Sequence, residues 1–173
     1  MKKIYITGIS GTGKSAIAKE LEKRGVLAFS IDEVDDLCHW VDRKTGKITH
    51  DYEPTRDWLD AHDWICDIEK LKKLLSGEKE VVIATGISTN QDEYLNLFDK
   101  ILLLRCSEKT FMDRMEKRHT IPGENTFGKY QAERDYAGAI YQDFEEKLLK
   151  LGAISINVEN PIDMVADEII SKI

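Results

Sequence analysis

The first fifteen residues contain the feature that most constrains the fold of this chain. A run of mostly β-branched and aromatic residues, Ile4-Tyr5-Ile6-Thr7, leads into a segment that matches G-x-x-x-x-G-K-[ST] from Gly8 to Ser15. Glycines allow the backbone to curl until successive N–H groups point at phosphate oxygens, and the dipole of the following helix adds attraction for anions. The pattern therefore predicts a strand, a phosphate-binding loop and a helix in succession.

The motif assigns roles to individual loop residues. Lys14 is expected to reach the β- and γ-phosphates of a nucleoside triphosphate, and the Ser15 hydroxyl is expected to bind Mg²⁺. The residues predicted to contact this nucleotide, ATP, are Gly8, Ser10, Gly11, Thr12, Gly13, Lys14, Ser15 and Ala16.

Beyond the loop, the apolar pattern alternates between strands and helices. Short apolar runs predict further strands at 27–31, 81–84, 101–104 and 154–158. Helical spacing predicts one helix after the N-cap Ser107 and others at 15–24, 65–75, 94–98, 130–151 and 162–173. Strands that alternate with helices form a parallel sheet covered on both faces. The expectation is a single α/β domain over 1–173 with a three-layer fold around a five-stranded parallel sheet, an insertion at 33–64 and a lid at 119–129.

Composition and charge narrow the function classes. A net charge of −7 over 173 residues disfavours nucleic-acid binding, and no run of about 18 apolar residues indicates a membrane-spanning segment. The N-terminus runs directly into the strand before the loop, so we expect no signal segment and a cytoplasmic location. We also expect a monomer or weak dimer. Three scattered cysteines without a C-x-x-C pair are predicted to be free thiols.

The negative charge is concentrated after the second predicted strand. Residues 32–69 hold twelve acidic against four basic side chains. Asp32 follows strand 27–31 directly, at the edge where ligands bind in open α/β sheets. Because strand 81–84 and Thr85 offer no carboxylate, Asp32 is the candidate either to hold a metal-bound water or to accept a proton from a hydroxyl. The alternative is that Asp32 caps the segment that follows it.

Basic residues flank the predicted lid. Phosphoryl transfer depends on positive charge near the transferred group and on correct positioning of the acceptor. Arg114 and Arg118 are four residues apart on one side of a predicted helix, Lys129 is the last residue of the loop, and Arg134 follows it. These side chains are candidates to close over the phosphates, with solvated surface charge as the alternative.

Several motifs resemble the nucleoside-monophosphate-kinase-like group of P-loop kinases, which includes adenylate, shikimate and gluconate kinases. Residues 82–86, V-I-A-T-G, are similar to the V-I-A-T-G-G-G segment of shikimate kinases, although Ile87-Ser88 replaces the later glycines. Ser30-Ile31-Asp32 looks like the D-x-D segment of that family, with Ser30 in place of the first aspartate. Arg114 to Arg118 resembles the R-x-x-x-R that leads into the lid of adenylate kinases.

The resemblance implies a nucleobase-side role for Arg114, phosphate contact for Arg118, and an acceptor site in the insertion. The stretches D-G-[FY]-P-R and R-P-L-L of adenylate kinases are absent, so no single named activity is supported. The expected catalytic residues are Lys14, Asp32, Arg118 and Arg134. The expected acceptor-binding residues are Asp32, Arg56 and Gly86, and the expected Mg²⁺ ligands are Ser15 and Asp32.

The charge of the insertion bears on the acceptor. A phosphorylated acceptor needs several basic residues around it and no general base, whereas a neutral or cationic alcohol suits an acidic insertion and gives Asp32 a role. The leading hypothesis is a small-molecule kinase that moves the γ-phosphate of Mg-ATP to a hydroxyl. The alternatives are a nucleoside-monophosphate kinase and a nucleotide-binding regulatory protein without kinase activity. Trp40, Trp58 and Trp64 either stack on a ring of the acceptor or form the core of the insertion.

Overall fold

The fold is organised around two sheets, and the larger one is fully parallel. The computed structural model describes residues 1–77, 80–118 and 127–173. The strands of the larger sheet are β1 (Lys2–Thr7), β2 (Leu27–Ser30), β6 (Val81–Thr85), β7 (Lys100–Arg105) and β8 (Ile154–Asn157). They lie in the order β2-β6-β1-β7-β8, with every neighbouring pair parallel. The predicted five-stranded parallel sheet is therefore confirmed.

Helices cover both faces of this sheet. The described residues form the α-helices α1 (Lys14–Lys23), α2 (Arg56–Ala61), α3 (Ile68–Leu74), α4 (Glu108–Arg118), α5 (Gln131–Lys150) and α6 (Ile162–Lys172). On one face, Ile4 and Ile6 of β1 pack in a cluster with residues of α1 and α6. On the other face, Tyr5 of the same strand packs in a cluster with Leu71 of α3 and Leu148 of α5. Successive side chains of a strand point to opposite faces, so both sides of a central strand read as apolar.

The insertion has a sheet of its own. Strands β3 (Cys38–Asp42), β4 (Ile48–Thr49) and β5 (His62–Cys66) form an antiparallel sheet in the order β4-β3-β5, and α2 lies between β4 and β5. In this sheet Cys38 and Cys66 are register partners, and the three cysteines are free thiols.

Two local predictions were wrong in their details. The helix predicted from Ile65 begins only at Ile68, because Ile65 and Cys66 belong to β5 and the Asp67 side chain caps α3 by accepting from the Lys70 N–H at 3.0 Å. Ile65 and Ile68 are three residues apart, which imitates helical spacing. The helix predicted at 94–98 is instead a pair of 3₁₀ turns, Gln91–Glu93 and Leu95–Leu97.

The lid predicted at 119–129 is only partly described. Residues 119–126 lie outside the described residues, and the chain is described again from Phe127 to the start of α5. In the described parts of the chain, no helix combines the length and the apolar character needed to cross a membrane.

Candidate active site

A cleft of about 760 Å³ opens where the parallel strands end. Its walls come from the phosphate-binding loop and the start of α1, from the small sheet of the insertion, and from α4 and α5. Of the residues predicted to bind nucleotide, the cleft is lined by Ser10, Gly11, Gly13, Lys14, Ser15, Ala16 and Arg114.

The loop has the shape that its glycines allow. Gly11 and Gly13 have φ angles of 89° and 92°, in the left-handed region that residues with a Cβ rarely adopt. A Cβ on Gly11 would also lie 2.5 Å from the carbonyl oxygen of Phe111 in α4. Between these glycines, the Thr12 hydroxyl donates to the Ile9 carbonyl at 2.8 Å and fixes the turn from inside. Gly8 and Thr12 support the loop from behind the residues that line the cleft.

The Lys14 ammonium lies inside the loop. It donates to the carbonyl oxygens of Gly8 at 2.8 Å and Ile9 at 3.2 Å, and the residue is buried. Burial lowers its pKa to about 8, the carboxylate of Asp32 opposes this shift, and the charge of Arg118 adds to it. A phosphate group bound in the loop would favour the charged form and raise this pKa again.

Asp32 lines the same cleft, directly after β2. Its Oδ1 accepts a hydrogen bond from the indole Nε1–H of Trp64 at 2.9 Å. Burial raises the pKa of the carboxyl above its ordinary value, although the charge of Lys14 and the bond from Trp64 act in the opposite direction. Turns connect Asp32 to strand β3, so no helix begins directly after this residue. A carboxyl group with a raised pKa next to a phosphate loop can hold a proton during a transfer reaction.

The residues present fit a Mg²⁺ ion that enters with a nucleotide. Ser15 and Asp32 both line the cleft, and the buried hydroxyl groups of Ser30 and Thr85 lie at the ends of β2 and β6 without a hydrogen-bond partner among the described residues. No group of three or more His, Cys, Asp or Glu side chains that could hold a metal occurs in the described ranges. This donor set suits Mg²⁺, which usually binds one or two protein groups and takes its remaining oxygens from phosphates and water.

The predicted basic residues are divided between the cleft and its surroundings. Arg114 and Arg118 of α4 both line the cleft, and a nitrogen of Arg114 also donates to the Val158 carbonyl at 2.8 Å. Arg134 instead donates to the carbonyl oxygens of Gly128 at 2.6 Å and Lys129 at 2.9 Å, at the start of α5. The geometry gives Arg134 a role in holding the end of the lid segment, and it is not among the described residues that line the cleft.

Two predicted acceptor-binding residues also lie outside the cleft lining. Arg56 pairs with Asp60 one helical turn away at 2.8 Å, and its guanidinium lies 5.4 Å from the ring centre of Tyr136. Gly86 is buried, and its carbonyl accepts a hydrogen bond from the Tyr5 hydroxyl at 3.1 Å. Tyr136, which contacts Arg56, and Ile87, which follows Gly86, line the cleft instead.

Aromatic side chains of the insertion form one wall of the cleft. Trp40, Tyr52 and Trp64 line the cleft, with ring centres 5.8 Å apart for Trp40 and Tyr52 and 5.2 Å apart for Trp40 and Trp64. Trp58 lies behind them, 5.0 Å from Trp40, and stacks on His62. The cluster is therefore the core of the insertion, and its outer surface is also a wall of the cleft.

Glu133 of α5 is a cleft residue that the sequence reasoning missed. The side chain is 1% exposed, and its Oε2 accepts from the backbone N–H groups of Gly128 and Tyr130, each at 2.9 Å. Its Oε1 accepts from the hydroxyl of Tyr52 in the insertion. The available signal was its position three residues after Tyr130, which is the place of the glutamate in a capping box at the start of α5. Glu133 thus joins the insertion to the start of α5.

Comparisons with known proteins identify a family and a relative of this chain. A family model described as an AAA domain matches residues 4–137. The adenylyl-sulfate kinase of Bacteroides thetaiotaomicron is 26% identical over 179 residues, which cover 98% of this chain and 84% of that protein.

Solved structures show the same fold at low sequence identity. The deoxyadenosine kinase of M. mycoides with bound dATP has a TM-score of 0.57 at 18% identity and covers 98% of both chains. A gluconokinase from Sinorhizobium meliloti has a TM-score of 0.53 at 18% identity, covering 96% of this chain and 88% of the other.

Proposed function

This chain belongs to the AAA domain family, and on that premise we propose that it is an ATP-dependent phosphotransferase acting on a small molecule. It transfers the γ-phosphate of Mg-ATP to a hydroxyl group of the acceptor. The kinase names of the similar proteins support phosphotransfer, and they differ in the acceptor that each name states. The cleft geometry has to decide which class of acceptor this chain takes.

The observation that carries the proposal is the position of Asp32. Its carboxyl lines the cleft near Lys14 on one side and is bonded to Trp64 of the aromatic wall on the other. A hydroxyl of the acceptor, placed beside the Asp32 carboxyl, attacks the γ-phosphorus. A new O–P bond forms while the bond between the γ-phosphorus and the bridging oxygen breaks, and ADP leaves. The hydroxyl proton passes to the Asp32 carboxylate, whose raised pKa makes it a better acceptor of that proton.

The other residues position and neutralise the phosphates. Lys14 binds the β- and γ-phosphate oxygens, and Arg118 contributes positive charge from α4. Ser15 and Asp32 would hold Mg²⁺, Asp32 through one of the waters of the ion, and the ion would supply positive charge against the phosphates. A cleft that is walled by aromatic rings and α5 also limits the access of water, which would otherwise compete with the acceptor.

The acceptor half of the cleft favours an alcohol without a phosphate group. Two of the basic side chains of the insertion are already paired, Arg43 with Asp63 at 2.8 Å and Arg56 with Asp60 at 2.8 Å. On the wall of the cleft itself, Lys147 pairs with Asp92. An anionic nucleoside monophosphate would need these charges, so a nucleoside-monophosphate kinase is the second candidate. A neutral or cationic alcohol meets aromatic faces and carboxylates instead.

We place this activity in the cytoplasm, where Mg-ATP is supplied. The free thiols of Cys38, Cys66 and Cys106 suit a reducing compartment.

The test compares Asp32→Asn with the exposed neighbour variant Asp35→Asn. ADP release is measured over a panel of nucleosides, nucleoside monophosphates, sugars and aminocyclitols. With the acceptor that supports turnover, Asp32→Asn should lower kcat at least tenfold, in the range of general-base catalysis, while Asp35→Asn keeps the wild-type rate. Nearly full activity of Asp32→Asn would exclude the general-base mechanism.

The same panel separates the remaining classes. A nucleoside monophosphate as the best acceptor, with an active Asp32→Asn variant, supports the second candidate. If the protein binds ATP tightly but no compound of the panel stimulates ADP release, both kinase hypotheses are refuted. That result would favour a regulatory nucleotide-binding protein.

A further inference from the structure

Two buried hydroxyl groups at the carboxyl edge of the parallel sheet have no hydrogen-bond partner among the described residues. They belong to Ser30, the last residue of β2, and Thr85, the last residue of β6, which are 5% and 0% exposed. The two residues are register partners on adjacent parallel strands. Leaving one buried polar group unsatisfied costs about 1–3 kcal/mol. Two such groups side by side therefore indicate a group that this edge of the sheet is built to receive.

Both hydroxyl groups lie on the face of the sheet that α1 covers. Ala28 and Ile83, two residues earlier on the same strands, belong to the apolar cluster that includes Ile17 of α1. Side chains alternate along a strand, so residues two apart share a face. Ser30 and Thr85 therefore face α1 as well.

They also lie at the end of α1 that carries the phosphate-binding residues. Strand β1 is parallel to β6, and α1 follows β1 after the loop, so α1 begins at the carboxyl edge of the sheet. Its first two residues are Lys14 and Ser15, and the helix packs against both β2 and β6. The unpartnered hydroxyl groups thus share one edge and one face of the sheet with the Ser15 hydroxyl, to which the motif assigns Mg²⁺.

We propose that the hydroxyl groups of Ser30 and Thr85 hold water molecules of the Mg²⁺ ion that accompanies the nucleotide, as neutral groups where a carboxylate is more usual. Mg²⁺ gives up its waters reluctantly and keeps several of them in nucleotide sites. Hydroxyl oxygens have lone pairs that accept hydrogen bonds from such waters. Since residues 81–85 contain no carboxylate, Thr85 is the polar side chain that the end of β6 offers to the ion. The proposal rests on the proposed function only in requiring Mg-nucleotide at the loop.

The test uses two substitutions at one position. Thr85→Val keeps the shape of the side chain and removes the hydroxyl, whereas Thr85→Ser keeps the hydroxyl and removes a methyl group. ADP binding is measured by titration calorimetry in excess MgCl₂ and, separately, in EDTA. Loss of one hydrogen bond of about 1 kcal/mol corresponds to about a fivefold loss of affinity. We expect Thr85→Val to lose about fivefold in MgCl₂ and nothing in EDTA, and Thr85→Ser to lose less than twofold in both. Ser30→Ala should behave like Thr85→Val.

Thermal unfolding of the nucleotide-free protein supplies a second measurement, in which the substitution should not be destabilising although it weakens Mg-ADP binding. Because the two hydroxyl groups lack partners, Thr85→Val should raise the Tm of the nucleotide-free protein or leave it unchanged, while it weakens Mg-ADP binding. A lower Tm would show that the hydroxyl has a structural partner and would overturn the proposal. Equal losses of ADP affinity in MgCl₂ and EDTA, or no loss in either, would overturn it as well.

These outcomes are separate from those of the proposed function. A wild-type protein that binds Mg-ADP more tightly than ADP but phosphorylates no acceptor refutes the kinase hypothesis alone. A wild-type protein with acceptor turnover, whose Thr85→Val variant keeps the full effect of Mg²⁺ on ADP binding, refutes the hydroxyl site alone.

Discussion

Removal of the Tyr52 hydroxyl is the sharpest test of how the insertion is attached to the rest of the molecule. Tyr52 lies in the insertion and Glu133 lies in α5, 81 positions later, and their side chains are joined by a hydrogen bond. Glu133 is 1% exposed, and its carboxylate accepts hydrogen bonds from the Tyr52 hydroxyl and from the backbone N–H groups of Gly128 and Tyr130. Burial, and then the bond to Glu133, raise the pKa of Tyr52, so its hydroxyl keeps the proton that it donates.

The magnitude follows from this geometry. Hydrogen bonds to charged groups contribute about 1.5–3 kcal/mol each. Because Tyr52 borders the open cleft, water can replace its hydroxyl on Glu133 in part, so we expect Tyr52→Phe to lower the free energy of unfolding by about 1–2 kcal/mol. Tyr130→Phe is the matched control, because Tyr130 reaches Glu133 through its backbone N–H, and it should cost less than about 0.5 kcal/mol.

Urea unfolding followed by circular dichroism measures these differences, and a double-mutant cycle with Glu133→Gln isolates the pair. A coupling energy of about 1 kcal/mol or more is expected for two residues in direct contact. The acceptor KM of Tyr52→Phe should rise while ADP affinity is unchanged, because the affected bond positions the aromatic wall of the cleft and involves no residue of the phosphate-binding loop. An unfolding free energy within 0.3 kcal/mol of the wild type, or a loss of ADP affinity, would refute the reasoning.

Two further predictions concern the charges at the nucleotide. Arg118→Ala should lower kcat by a factor on the order of 10³ if the guanidinium supports the transition state. Lys109→Ala, an exposed position at the other end of α4, is the control. A rate of Arg118→Ala within about twofold of the wild type would show that Arg118 is a solvated surface charge. The pKa of Lys14 is lowered to about 8 by burial, and phosphate binds its charged form, so ADP affinity should be full below pH 8 and fall by up to tenfold per pH unit above it. Titration calorimetry between about pH 6.5 and 9.5 measures the ADP affinity. An affinity that does not change across that range, or an equal decline in the Lys14→Met variant, would contradict a dependence on the charge of Lys14.

The nucleotide half of the cleft could be predicted from sequence because its chemistry is local. Residues 8–15 are contiguous, and their geometry follows from the backbone freedom of Gly11 and Gly13 and from the helix that starts at Lys14. Asp32 could be predicted from one further rule, that ligands bind at the carboxyl ends of parallel strands. The number and direction of the strands in the larger sheet followed from apolar runs alternating with helical spacing, whereas the three strands of the insertion were not predicted.

The acceptor half could not be predicted in the same way, because contacts between distant residues build it. Arg56 was assigned to the acceptor on its charge, but the structure pairs it with Asp60 and places it against Tyr136. The sequence position of Glu133 is that of an ordinary capping residue at the start of α5. Its hydrogen bond with Tyr52 joins residues 81 positions apart and forms only in the folded chain. The pattern of residues 65–75 also contained a false helical period, since tertiary pairing with β3 holds Ile65 in a strand.

In this site, neutral hydroxyl oxygens and a charged carboxylate oxygen have separate roles, the first with the Mg²⁺ ion and the second with the acceptor. A carboxylate that binds Mg²⁺ directly is held in its ionised form, and the ion competes with any proton that it might accept. Burial raises the pKa of Asp32, which suits proton transfer and opposes tight metal binding. If Ser15, Ser30 and Thr85 hold the ion and its waters with uncharged hydroxyl groups, Asp32 is left to serve the acceptor. Thr85→Val should therefore change the Mg²⁺ dependence of ADP binding without shifting the pH profile of kcat, whereas Asp32→Asn should remove the acidic limb of that profile.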